Sequence, residues 1–241
     1  MARHPRIVLP GVALHITQRG NDRQDCFKRD NDRLVYLSLL RDYAKLRHCA
    51  VHAYCLMTNH VHLLVTPEHD QGCALMMRDL GRCYAAYFNR HYQRVGALWQ
   101  HPFHSCLVDS AEYVIACYRY IERNPVRAYM VGLPDEYAWS SYAGNAALRS
   151  DGLLTPHPEY VALGEDEKSR RRAYRDLVNH EEQPSALRAI REATDAGFPL
   201  VGARIKAQLE RAGVRLERGT PGPRGPQLRD GSTGELAFLT K

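Results

Sequence analysis

No apolar run in the 241-residue chain approaches the roughly 20 residues that a membrane-spanning helix needs. The opening Met-Ala-Arg-His-Pro-Arg carries charge but no apolar signal region follows it. These absences lead us to expect a cytoplasmic protein with no membrane partner. The 7 cysteines are odd in number and contain no C-x-x-C pair, which argues against a disulfide or zinc framework. Cys49, Cys55, Cys73, Cys83, Cys106 and Cys117 mostly sit among apolar neighbours and read as small core residues. Internal repeats are lacking too. The charge excess is only +6, which permits a polyanionic partner without requiring one. Arginine supplies most of it, and its planar fork suits phosphate.

What is present is enough apolar residue, 44%, for a real core in one large domain or one medium domain with an appendage. Residues 12–17 alternate as a strand, and a basic turn follows at 18–23. A helix capped by Asp30 or Asn31 runs to about 47, with Leu34, Leu37, Leu40 and Tyr43 as its apolar stripe. Residues 50–57 and 60–66 read as a hairpin, 73–93 as a second long helix and 102–109 as a fourth strand. Ser110 caps a further helix reaching about Arg123, where Pro125 ends or kinks it. This order, strand-helix-strand-strand-helix-strand, predicts an α+β, ferredoxin-like split β-α-β antiparallel sheet with two helices on one face and the other face free. The expected organisation is a catalytic unit over 1–148, a helical extension over 149–216 and a Gly/Pro-rich basic tail over 217–241.

Two pairs of residues suggest chemistry. His60 and His62 stand at i and i+2 in an apolar run, so on a strand both imidazoles project from one face and are able to share a cation. Alone, the pair is also what the solvated face of an edge strand looks like. Tyr120 and Asn124 stand one helical turn apart on a face that the apolar stripe of Val114, Tyr118 and Ile121 does not use. Alone, they are equally a surface tyrosine and a helix-terminating asparagine.

The string Cys55-Leu-Met-Thr-Asn-His-Val-His-Leu-Leu-Val-Thr-Pro67 resembles the His–hydrophobic–His metal motif of the HUH single-tyrosine transposases. Tyr120-Ile-Glu-Arg-Asn-Pro-Val-Arg-Ala128 is similar to the tyrosine motif of one branch, the REP-associated tyrosine transposases. Gln18-Arg-Gly-Asn-Asp-Arg23, Gly96-Ala-Leu-Trp99 and Tyr137-Ala-Trp-Ser-Ser-Tyr142 resemble further family segments in the same order. The likeness covers about residues 8–145. It departs from the family at Pro102, where arginine is commoner, and at Asp22, where asparagine is.

The resemblance implies a role for each matching position. Tyr120 would be the nucleophile; His60, His62 and Asn124 would hold a divalent ion, Mg²⁺ or Mn²⁺; Arg19, Arg23 and Arg127 would contact DNA. The implied partner is single-stranded hairpin DNA, and the implied state is a monomer or a homodimer. The implied reaction is DNA cleavage and rejoining through a 5′-phosphotyrosine. Two other readings fit parts of the pattern. One is a hairpin-binding regulatory module with little catalysis. The other is a metal hydrolase that adds His104 or His52 to the histidine pair. Trp99, Trp139 and Tyr142 are candidates either for base stacking or for the core.

Overall fold

The computed structural model describes residues 6–100, 102–180, 184–214 and 216. The 217–241 segment, expected to be a basic tail, lies outside the described residues. Four strands form one antiparallel sheet: β1 (Ala13–Arg19), β2 (Cys49–Leu56), β3 (His60–Pro67) and β4 (His104–Val108), in the order β2-β3-β1-β4. Helix α1 (Asp30–Leu46) joins β1 to β2, and α2 (Gly72–His91) joins β3 to β4. The expected α+β sheet and its split β-α-β order are therefore present.

Strand alternation sorts the core into two halves. Leu14, Ile16, Val61, Leu63 and Val65 point to one side, where they pack with Tyr36 and Leu40 of α1 and Met76, Leu80 and Tyr84 of α2. Each large apolar side chain buried there contributes roughly 1.5–3 kcal/mol. Ala13, Leu64, Cys106 and Val108 point to the opposite side. That side is not free, as the sequence pattern suggests, but is covered by later helices. These are α3 (Ala111–Glu122), a short turn α4 (Asn124–Arg127), the brief α5 (Tyr142–Asn145) and α6 (Pro158–Val161), then α7 (Glu167–Asn179) and α8 (Pro184–Ala196), whereas α9 (Ala203–Arg211) sends Ile205 and Leu209 into the first core. Val114, Cys117, Tyr118 and Ile121 of α3 share this second core with Tyr174 and Val178 of α7 and Ile190 of α8.

Helix α1 differs from its expected form in two respects. Its buried positions are Asp32, Arg33, Tyr36, Leu40 and Ala44, whereas Leu34 is 56% exposed. Its start is closed by Asp32 instead of Asp30 or Asn31: the Asp32 carboxylate accepts from the backbone N–H of Lys28 (2.8 Å) and Arg29 (3.0 Å). The hydroxyls of Tyr87 (3.0 Å) and Tyr92 (2.8 Å) donate to the same carboxylate, which ties α1 to α2 and the turn after it. Asp32→Ala is expected to cost about 2–4 kcal/mol by leaving these donors unpaired, read from chemical denaturation, with Asp32→Asn intermediate.

Candidate active site

The central strands set the site. β1 pairs with β3 so that Thr17 lies opposite His62 and Arg19 opposite His60. On its other edge β1 pairs Thr17 with His104. Alternation therefore gathers His15, Thr17, Arg19, His60, His62 and His104 on one face. Helix α3 crosses this face. Ser110 starts it, accepting from the Tyr113 N–H at 3.4 Å, as the sequence predicts. Helical geometry continues after Pro125, because that proline falls in the first turn of α4, where a missing N–H costs nothing.

The structure brings Tyr120 and the histidines together. The Tyr120 ring stands edge-on to His62 and His15, with centroids 5.6 and 5.5 Å apart. Arg19, His60, His62, Tyr120 and Asn124 all line one cavity of about 370 Å³. His104 lines it as well; Arg23 and Arg127 do not. Arg127 instead places its guanidinium 4.5 Å from the centre of the Tyr120 ring and donates to the Tyr120 carbonyl oxygen. Arg23 lies in a 3-10 turn (Asn21–Arg23), and its carbonyl accepts from Asn59. His52 is turned elsewhere. A register shift between Val51 and Ala53 makes it the extra residue of a bulge, and its ring nitrogens meet Thr155 O (2.7 Å) and Thr66 Oγ1 (2.8 Å).

The hydrogen bonds around the three candidate ligands leave suitable lone pairs. Asn59 Nδ2 donates to Arg23 O, which fixes that amide so that its Oδ1 accepts from His60 Nδ1 at 2.7 Å. His60 Nε2 then carries the ring's lone pair. His62 Nδ1 meets His15 Nε2 at 3.1 Å. Asn124 Nδ2 donates to Tyr120 O (2.9 Å) and Ile121 O (3.4 Å), and its Oδ1 accepts no hydrogen bond among the described residues. Two imidazoles and one amide oxygen are a donor set that fits a divalent ion. Among the described residues no three His, Cys, Asp or Glu side chains form a metal cluster.

Electrostatics agree with such a site. Burial lowers the His60 pKa to about 4, with Arg19 adding to the effect. Burial also lowers His62 well below the ordinary value, helped by His60, and lowers His15 to about 3. All three rings are thus neutral near pH 7, the form in which imidazole binds metal. Burial raises the Tyr120 pKa. A hydrogen bond from Arg191 and the charges of Arg127 and Arg191 oppose that rise, and Asp195 adds to it.

Among the cavity residues that escaped the sequence reading, four bear on Tyr120 and His62: His15, Arg191, Thr194 and Asp195. His15 was accessible, since it alternates with Thr17 and Arg19 along β1. The other three come from α8, and no local pattern marks a helix as the neighbour of a site far away in sequence. The aromatic candidates belong to the core or its edge. Trp99 donates to Gly81 O and packs near Tyr36 and Tyr84; Tyr142 is buried; Trp139 is half-buried beside Arg33.

Residues 9–124 match the family described as IS200-like transposases. This segment belongs to that family. The chain is accordingly an enzyme of DNA cleavage and rejoining, with a role in DNA transposition. A search of curated proteins finds no match. Among solved structures, this chain is similar to a REP-associated tyrosine transposase bound to a REP hairpin, at 18% identity and a TM-score of 0.52, covering 64% of this chain and 89% of that one. A second similar structure is described as a transposase from Deinococcus radiodurans R1, at 20% identity and a TM-score of 0.36, covering 54% and 95%. The first of these likenesses supports the fold. Among the described residues no helix is long and apolar enough to cross a membrane.

Proposed function

We propose that this transposase is a metal-dependent single-stranded DNA endonuclease and strand transferase that acts on hairpin DNA. The observation that carries the reading is the meeting of the Tyr120 ring with His62 in a cavity that His60 and Asn124 also line. His60, His62 and Asn124 would hold the cation, which when bound supplies Lewis-acid polarisation of a phosphate. Imidazole ligands favour Mn²⁺, with Mg²⁺ the oxygen-preferring competitor.

The side chains perform the remaining work. Tyr120 Oη attacks the scissile phosphorus; the bond from phosphorus to the 3′ oxygen breaks, and that oxygen leaves as a 3′-hydroxyl after taking up a proton. The phenol loses one proton in exchange. Arg191 and Arg127 favour the phenolate and the 5′-phosphotyrosine that follows. A second 3′-hydroxyl reverses the step and rejoins DNA. Tyr120 serves the histidines of its own chain, so a monomer suffices, with the tyrosine and the candidate metal ligands in 1–148 and Arg191 supplied by the helices of 149–216.

The match to a hairpin-bound structure supports the substrate class. So does an adjoining groove of about 590 Å³, which shares Gln18, Gln100 and Pro102 with the cavity and is lined by Arg6, Arg78 and Arg82. Arginines set among apolar side chains such as Met77 and Leu98 suit an unpaired strand beside a stem. With a flanked hairpin oligonucleotide and Mn²⁺ or Mg²⁺, the full chain is expected to form a denaturant-resistant protein–DNA adduct, and EDTA is expected to abolish it. Binding without any adduct in either metal would favour the regulatory module instead.

A further inference from the structure

The strongest unused feature is a line of buried hydrogen bonds behind His62. His62 Nδ1 lies 3.1 Å from His15 Nε2, His15 Nδ1 lies 2.7 Å from Thr194 Oγ1, and Thr194 Oγ1 lies 2.8 Å from Ile190 O. All three side chains are at most 5% exposed. With each of these short contacts taken as a hydrogen bond, proton counting sets every direction. A carbonyl oxygen only accepts, so the single hydroxyl proton of Thr194 goes to Ile190 O. Thr194 Oγ1 must then accept, and it does so from His15 Nδ1–H and from the Cys106 thiol at 3.2 Å. Among the described residues no carboxylate is hydrogen-bonded to His15, and a buried ring without one stays neutral with a single N–H. His15 Nε2 is therefore a lone pair, and the proton between the two histidines sits on His62 Nδ1. His62 Nε2 is left bare.

We propose that His15 and Thr194 are positioning residues that lock His62 in the Nδ1–H tautomer, the one whose Nε2 is free to bind the cation. Helix α8 is then a working part of the metal site, although it lies outside the segment that matches the family. A ligating imidazole held by a partner on its second nitrogen gains both orientation and basicity, and loss of such a partner typically weakens metal binding about 10- to 100-fold. The inference rests on the reading of His62 as a metal ligand.

Its test is Mn²⁺ binding by the full chain without DNA, followed by electron paramagnetic resonance of the free ion. His15→Leu and Thr194→Val are expected to weaken Mn²⁺ binding about 10- to 100-fold. His15→Gln, which keeps an acceptor for the His62 N–H, and Thr194→Ser, which keeps the hydroxyl, are expected to retain it. A packing role alone would not give this rescue by the conservative variants. His62→Ala separates the two failures. If it leaves Mn²⁺ affinity unchanged, the ligand reading falls and the relay with it. If it weakens binding while His15→Leu and Thr194→Val do not, the relay alone is overturned. Should a variant fail to fold, ¹⁵N–¹H correlation of the histidine rings in the native metal-free chain decides: an Nδ1–H tautomer at His62 is expected, and an Nε2–H tautomer overturns the proposal.

Discussion

Tyr120→Phe is expected to bind hairpin DNA within about twofold of the native chain and to form no covalent adduct, with cleavage reduced by about a thousandfold or more. The substitution deletes one oxygen. The ring keeps its edge contacts with His15 and His62 and its place beneath the Arg127 guanidinium, so the fold and the cavity walls persist. No other phenol on α3 is placed to substitute well. Tyr118 is fully buried on the core stripe, and its hydroxyl accepts from the His157 N–H at 3.3 Å. Tyr113 lies two turns earlier and does not line the cavity. Denaturing gels read the adduct and fluorescence anisotropy reads the binding. An adduct that survives in Tyr120→Phe would place the nucleophile elsewhere.

The second large effect is on stability. Glu122 follows the tyrosine by two residues and is fully buried. Its Oε1 accepts from Ser141 Oγ (2.6 Å) and Asn145 Nδ2 (2.7 Å), and its Oε2 accepts from the Tyr174 hydroxyl. Ser141 in turn receives the Tyr54 N–H of β2. One carboxylate thus ties the tyrosine helix to the sheet and to α7. Ser141 has a second acceptor in Tyr54 O, but Asn145 already gives its other amide proton to His52 O. Glu122→Ala therefore strands Tyr174 and half of Asn145, at a cost of roughly 3–5 kcal/mol.

Glu122→Gln keeps the volume and an acceptor, and it carries a pH signature. Burial raises the native Glu122 pKa to about 7 from 4.5, against the lowering effect of its three donors. Between those values the folded chain binds the proton and the unfolded chain has released it. The contribution of Glu122 to stability is thus full below about pH 4.5 and declines as pH rises towards about 7. The melting temperature of Glu122→Gln relative to the native chain is expected to be higher at pH 8 than at pH 5.

Much of this architecture was legible because strands and long helices announce themselves by period. The hairpin, the His60–His62 strand and the Ser110 cap all follow from local alternation and turn chemistry. What was not legible has identifiable physical causes. In α1 the stripes 34-37-40 and 36-40-44 share Leu40 and differ by a modest rotation. Burial of Asp32 against Tyr87 and Tyr92 settles which one faces inward, and those partners lie more than fifty positions away. His52 belongs to a regular-looking strand, but the bulge turns it to Thr155 and Thr66. The open sheet face inferred from the first six elements is covered by α8, a tertiary event that no periodicity encodes. In the candidate site, the histidine pair, the tyrosine and the asparagine, which line one cavity, were picked out by spacing together with resemblance. Arg191 and Thr194 were not, since an amphipathic helix looks the same whatever it packs against.

The contact between His15 and Thr194 joins residues 179 positions apart. Closing a loop of that length is entropically costly and comes late in folding. A chain emerging from the ribosome contains both histidines and the tyrosine well before it contains the helix that braces them. The central strands and α3 are able to dock early, but the wall formed by Arg191, Thr194 and Asp195 waits for the synthesis of α8. Order of synthesis thus becomes a safeguard: a centre of the proposed construction is finished only once α8 has been made, well after the tyrosine helix.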